Sequence, residues 1–176
     1  MGDFKPYSAL GYIDSFCFEK SDKYESIKSY FYFTNNFFSF CICFCQQSIQ
    51  AKYYLALADA YRSQGSFLLA RDAVFSALKL RSGWGEAYIN LGNIYVAGAK
   101  SCGDDFETQT VYWVAVDAFK KALSDPETEY RASKSINTYS KYFPTKENCF
   151  FNGLEAGTQH TVACWINKTT TARTSD

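Results

Sequence analysis

From Ala51 to Ser82 the chain reads AKYYLALADAYRSQGSFLLARDAVFSALKLRS, with apolar residues recurring three and four positions apart. That period predicts two helices joined by a turn at Gly65. With Ala51 as the first place of a 34-residue unit, Tyr54, Leu57 and Tyr61 fall at places 4, 7 and 11, and Val74 at 24. The small residues Ala58, Ala70 and Ala77 fall at places 8, 20 and 27, and Gly65 at 15. Small side chains let two helix axes approach closely, while bulky ones fill the space between them. One period later, from Gly85, Tyr88, Leu91, Gly92 and Tyr95 repeat places 4, 7, 8 and 11. The second helix of this copy comes about eleven residues late, where Ala115, Phe119 and Ala122 take places 20, 24 and 27.

The delay is an insertion containing SCGDDFETQT. Within it Asp104 precedes Glu107 by three residues, the spacing of a capping box, so a helix from Asp105 to Leu123 is expected. Its apolar face is Tyr112, Ala115, Val116, Phe119, Ala122 and Leu123. Asp104, Asp105 and Glu107 lack the alternating frame of a calcium loop, so capping is the expected role. Asp125 and Pro126 separate that helix from a last one, with Ala132, Ile136, Tyr139 and Phe143 on one side and Arg131, Ser133, Lys134, Asn137 and Lys141 on the other. Such a one-sided helix fits the end of an array, where one face meets water. Beyond Pro144, residues 148–157 read as a short turn. Thr161 to Ile166 and Thr169 to Thr174 then read as two strands around a turn at Asn167-Lys168. A lone hairpin is marginal in water, so Val162, Cys164 and Ile166, or the opposite face with Trp165, must lie against the helices.

Residues 1–50 match neither copy and hold fourteen of the thirty-three aromatic residues, so the chain has two compositional parts. Residues 1–29 scatter Ser, Asp and Lys among aromatics and read as loosely packed. The run Tyr30–Cys45 is sixteen residues long and broken by Thr34, Asn35, Asn36 and Ser39, whereas a spanning helix needs about 20 mostly apolar residues. Lys20, Lys23 and Lys28 precede it, but the charged region is too long for an export signal and no small-residue cleavage site follows. Neither a span nor a signal is expected. Strand and helix periods coexist between Phe37 and Cys45. A helix from about Phe37 is favoured, either docking beside the Ala51 helix or running on into it, because the first unit of an array needs a neighbour.

The 18 basic and 18 acidic residues cancel, which gives no reason to expect nucleic acid or an anionic membrane as a partner. None of the seven cysteines forms a C-x-x-C pair, so no structural zinc and no cofactor is expected. Cys41, Cys43 and Cys45 would not converge on a helix and read as buried apolar residues rather than a soft-metal site.

The repeated pattern resembles the tetratricopeptide repeat (TPR). Ser101–Asp105, Tyr112-Trp113, Ala115–Asp117 with Phe119, Tyr142–Pro144 and Ala163–Ile166 resemble segments of a group of bacterial, typically exported TPR proteins. The resemblance implies an all-α solenoid fragment: two repeats, the second with an insertion, then a capping helix and a small C-terminal β-hairpin. The domains would be an atypical segment 1–50, a repeat domain 51–143 and an extension 144–176. It also implies a non-catalytic protein-binding module, periplasmic or envelope-associated, holding a peptide on the inner face of each first helix. Places 2, 5, 9 and 12 there are Lys52, Leu55, Asp59 and Arg62 in repeat one. In repeat two, Glu86, Ile89 and Asn93 hold places 2, 5 and 9. Leu55 and Asp59 depart from the Lys and Asn with which chaperone-tail TPR domains clamp a carboxylate, so a neutral or amphipathic peptide is preferred. A structural part of a larger envelope assembly is the alternative. A hydrolase built on His160, Cys164 and the acidic insertion is disfavoured, for no phosphate loop, nucleophile elbow or metal spacing accompanies them. Cys102 and Cys164 lie in the two most distinctive resembling segments. Export would favour a bridge between them; two buried free thiols are the other reading.

Overall fold

The computed structural model describes residues 35–175, with side chains from residue 46 onward. The expectations for residues 1–29, and for the side chains of Cys41, Cys43 and Cys45, fall outside these. The chain divides into a first unit, residues 1–46, and a second, residues 47–176. Six α-helices, two single-turn 3-10 helices (Ala99–Ser101 and Ser140–Tyr142) and one two-stranded antiparallel sheet make up the described regular structure; the α-helices and strands are numbered in chain order. They are α1 (Asn35–Ser63), α2 (Phe67–Leu80), α3 (Gly85–Gly98), α4 (Asp105–Ala122), α5 (Glu129–Tyr139), α6 (Lys146–Phe151), β1 (Gln159–Val162) and β2 (Lys168–Thr171). The helix expected from about Phe37 runs on into the Ala51 helix as the single helix α1. Among the described residues no helix is long and apolar enough to cross a membrane.

The small residues do what their spacing implies. Ala58, Ala70, Ala77 and Ala122 are fully buried, and they share one core with Leu55, Val74, Leu91, Ile94, Tyr95, Val114 and Phe119. At Gly92 the approach is close: a Cβ placed there would overlap the Phe119 ring of α4. The side-chain cap that α3 lacks at Trp84 is supplied from a distance, since the Gly85 N–H donates to Asp125 Oδ2 at 3.0 Å. One orphan donor of the helix start is thereby satisfied by the α4–α5 turn.

Helix α4 starts at the expected capping box. Asp104 Oδ1 accepts from the Glu107 N–H at 2.8 Å, and Glu107 Oε2 accepts from the Asp104 N–H at 3.3 Å. Half of its residues are buried, because α4 lies between two cores. Val111, Val114, Ala115, Ala118 and Phe119 face the first core; Trp113 and Val116 form the second with Phe143, Cys149 and Ala172.

Two expectations past Pro144 need correction. The expected turn over 148–157 holds a helix, α6, whose start is capped by Thr145 Oγ1 accepting from the Asn148 N–H at 3.2 Å. The hairpin register also differs: Gln159 pairs with Thr171 and Val162 with Lys168, so Ala163–Asn167 is a five-residue connection and not strand plus turn. Tertiary packing overrides β propensity here, because Cys164 is bonded to Cys102 and Trp165 packs on Phe67 of α2 and Tyr95 of α3.

Replacing Gly92 by alanine tests the α3–α4 contact. Because the added Cβ would overlap the fully buried Phe119 ring, urea unfolding of Gly92→Ala is expected to show a loss of roughly 1 to 3 kcal/mol. A change within error would mean that the two helices can part without cost.

Candidate functional site

The residues expected on the inner face divide into two sets. Lys52 and Asp59 are exposed, and Arg62, Glu86 and Asn93 are half-buried. Leu55 and Ile89 retain only 8% and 7% of their surface and belong to the core. A leucine or isoleucine at this place of a packed helix gains more from burial than from water, so these two lie beneath the face on which they were expected. Three of the charges are already engaged, Arg62 with Asp59 at 3.1 Å and Glu86 with Arg131 of α5. Arg131 thus links the polar side of α5 to the face of α3. Both pairs are largely solvated and add little to stability.

One residue of this region was missed in the sequence. Asn90 is 7% exposed, and its Oδ1 has no hydrogen-bond partner. It lies four residues after Glu86 and three before Asn93, on the same side of α3. The available signal was a lone amide within the otherwise apolar run Tyr88–Leu91.

A second feature forms where the insertion meets the C-terminal segment. Cys102 and Cys164 are joined by a disulfide, with their Cα atoms 5.1 Å apart. The bond lines a cleft of about 390 Å³ together with Asp104, Phe106, Glu107 and His160. The residue types named for a hydrolase therefore do converge, but their groups are committed elsewhere. The Cys164 sulfur is bonded, and both carboxylates serve the capping box. His160 meets the Trp113 ring edge-on, with centroids 5.8 Å apart. Burial holds its pKa below the usual 6.5, with the nearby Glu107 opposing that shift. Among the described residues no group of three or more His, Cys, Asp and Glu side chains is placed to hold a metal ion.

The hairpin is fastened to α4 by a reciprocal pair of bonds. The Trp113 indole N–H donates to the Arg173 carbonyl at 2.7 Å, and Arg173 Nη2 donates to the Trp113 carbonyl at 2.7 Å. Arg173 also pairs with Asp117 at 2.9 Å, and the Thr170 hydroxyl donates to the same carboxylate. None of these contacts was visible in the sequence, since they join residues about sixty positions apart by chain reversal.

The His160 shift has a definite sign. A depressed histidine pKa means that the native state binds fewer protons than the unfolded state between its folded value and 6.5. Stability is therefore complete above 6.5 and is lost as pH falls through that window. The melting temperature is expected to drop as the pH falls below 6.5, before the main carboxylate range is reached. His160→Gln should flatten that drop. An equal drop in the variant would assign it to other groups.

Comparison with protein-family models, with curated proteins and with solved structures finds no match for this chain.

Proposed function

We propose that the chain is a TPR-type helical-repeat module that binds a peptide segment of a protein partner on the side formed by α1 and α3. The observation that carries the reading is Asn90. A buried amide oxygen without a partner costs stability, and a peptide N–H laid along α3 would satisfy it after a small rotation of the side chain. Lys52, Asn93 and the paired Asp59–Arg62 and Glu86–Arg131 supply a polar rim of balanced charge, which suits a neutral or amphipathic segment. The apolar Leu55 and Ile89 stiffen the floor beneath it. The disulfide supports work in an oxidising compartment.

A structural role in a larger assembly is the second reading. Phe150 and Phe151 of α6 are 77% and 82% exposed, and adjacent aromatic residues left in water favour coverage by another molecule.

Peptides selected from a displayed random library against the full chain test the first reading. The combined variant Lys52→Glu, Asn90→Ala, Asn93→Ala is expected to weaken the selected peptides by about tenfold or more, equivalent to about 1.4 kcal/mol. Its circular dichroism should stay unchanged. Full affinity in the folded variant would move the binding surface away from α1 and α3.

A further inference from the structure

The connection Ala163–Asn167 leaves the hairpin and lies on the helices in the manner of a bound peptide. The Trp165 ring stacks on Phe67 of α2 at 5.7 Å and meets Tyr95 of α3 at 5.8 Å. Gly98 leaves the room for it, because a Cβ there would overlap both the Trp165 and Phe67 rings. The Trp165 indole N–H points to the Gly98 carbonyl at 3.4 Å. Arg71, whose side chain is 17% exposed, donates from Nη1 to the Trp165 carbonyl at 2.6 Å and to the Ile166 carbonyl at 3.2 Å. Ile166 is 3% exposed. An aromatic anchor in a notch, with its main chain held by a guanidinium, is the chemistry by which a protein reads an extended peptide.

The covalent hold on this connection is the Cys102–Cys164 bond, and both half-buried cysteines line the open cleft beside Asp104 and His160. We propose that Phe67, Arg71, Tyr95 and Gly98 form a peptide site for an aromatic residue followed by an aliphatic one, occupied in cis by Trp165-Ile166 and opened when a dithiol reduces the Cys102–Cys164 disulfide. In that step a thiolate of the dithiol attacks one sulfur of the bond, and the other leaves as a cysteine thiolate and takes up a proton. The second thiol of the reagent then displaces the attached protein sulfur. Two thiols remain on the protein, and the reagent becomes its own disulfide. Loss of the cross-link raises the population in which the connection has swung away, and the vacated notch is then free for the partner's segment. The site lies apart from the α1 and α3 binding side and does not rest on that reading.

The test uses the full chain, dithiothreitol, and a synthetic peptide of the Thr161–Lys168 sequence carrying Cys164→Ser. On reduction, amide exchange of residues 163–167 is expected to rise by about tenfold or more while the α4 amides keep their protection. The peptide should bind the reduced chain and the Cys102→Ser, Cys164→Ser variant, and should not bind the oxidised chain. Arg71→Met in the reduced chain should abolish that binding. Unchanged exchange, equal peptide binding in both redox states, or no binding in either would overturn the proposal. So would loss of α4 protection along with the connection, which would make the bond a support of the whole fold, and so would full binding by the Arg71→Met protein.

Discussion

The contact between the Phe119 ring and the bare backbone at Gly92 sets the distance between α3 and α4, and most of the described structure is arranged around it. Interiors pack near crystal density, so a ring that occupies the place of a missing Cβ leaves no slack on either helix. Phe119 also stacks on Tyr139 of α5 at 5.6 Å, which in turn meets Tyr112 at 6.1 Å. Helix α5 is therefore located by the same ring that locates α3. With α4 fixed, its opposite side offers Trp113 and Asp117 as attachment points for the C-terminal segment.

This arrangement separates two surfaces with different chemistry. One side of α3 carries the half-buried Glu86 and Asn93 and the unpartnered Asn90 oxygen. The far end of α3, at Tyr95 and Gly98, holds a segment supplied by the chain itself. The exchange of backbone and side-chain bonds between Trp113 and Arg173 satisfies both main-chain carbonyls where the returning chain crosses α4. The hairpin, too small to stand alone, is stable because those bonds and the disulfide hold it against a helix that is itself buried on two sides.

The helical elements from α2 to α5 were legible because each depends on local period, caps and breakers. The Asp104–Glu107 capping box and the Asp125-Pro126 break are short-range signals, and they bound α4 where the pattern said they would. The closing hairpin was legible as a hairpin but not in register: its β-branched runs continue past Val162 into residues that Cys164 and Trp165 pull onto α2 and α3. Helix α6 was missed because six residues carry too little periodicity, although Thr145 is a sound cap. Of the residues expected on the inner face, Lys52 and Asp59 are exposed and Asn93 is half-buried. The depth of Leu55 and Ile89 was not legible, because position in the pattern alone does not say how deep a side chain sits, and Asn90 was passed over because an amide in an apolar run looks like an interruption. The pairing of Cys102 with Cys164 was an expectation tied to resemblance. Arg71, Trp113 and Arg173 act through contacts that only the folded chain creates.

Native-state hydrogen exchange on the oxidised chain tests most directly whether the α3–α4 contact governs the rest. If it does, the amides of Ile94, Val114 and Ala118 exchange only through global unfolding, with one shared opening free energy equal to that from denaturant unfolding. Amides of α5 and the hairpin should open at lower cost. Independent opening of α3 from α4, or α5 remaining closed after α4 has opened, would contradict the account.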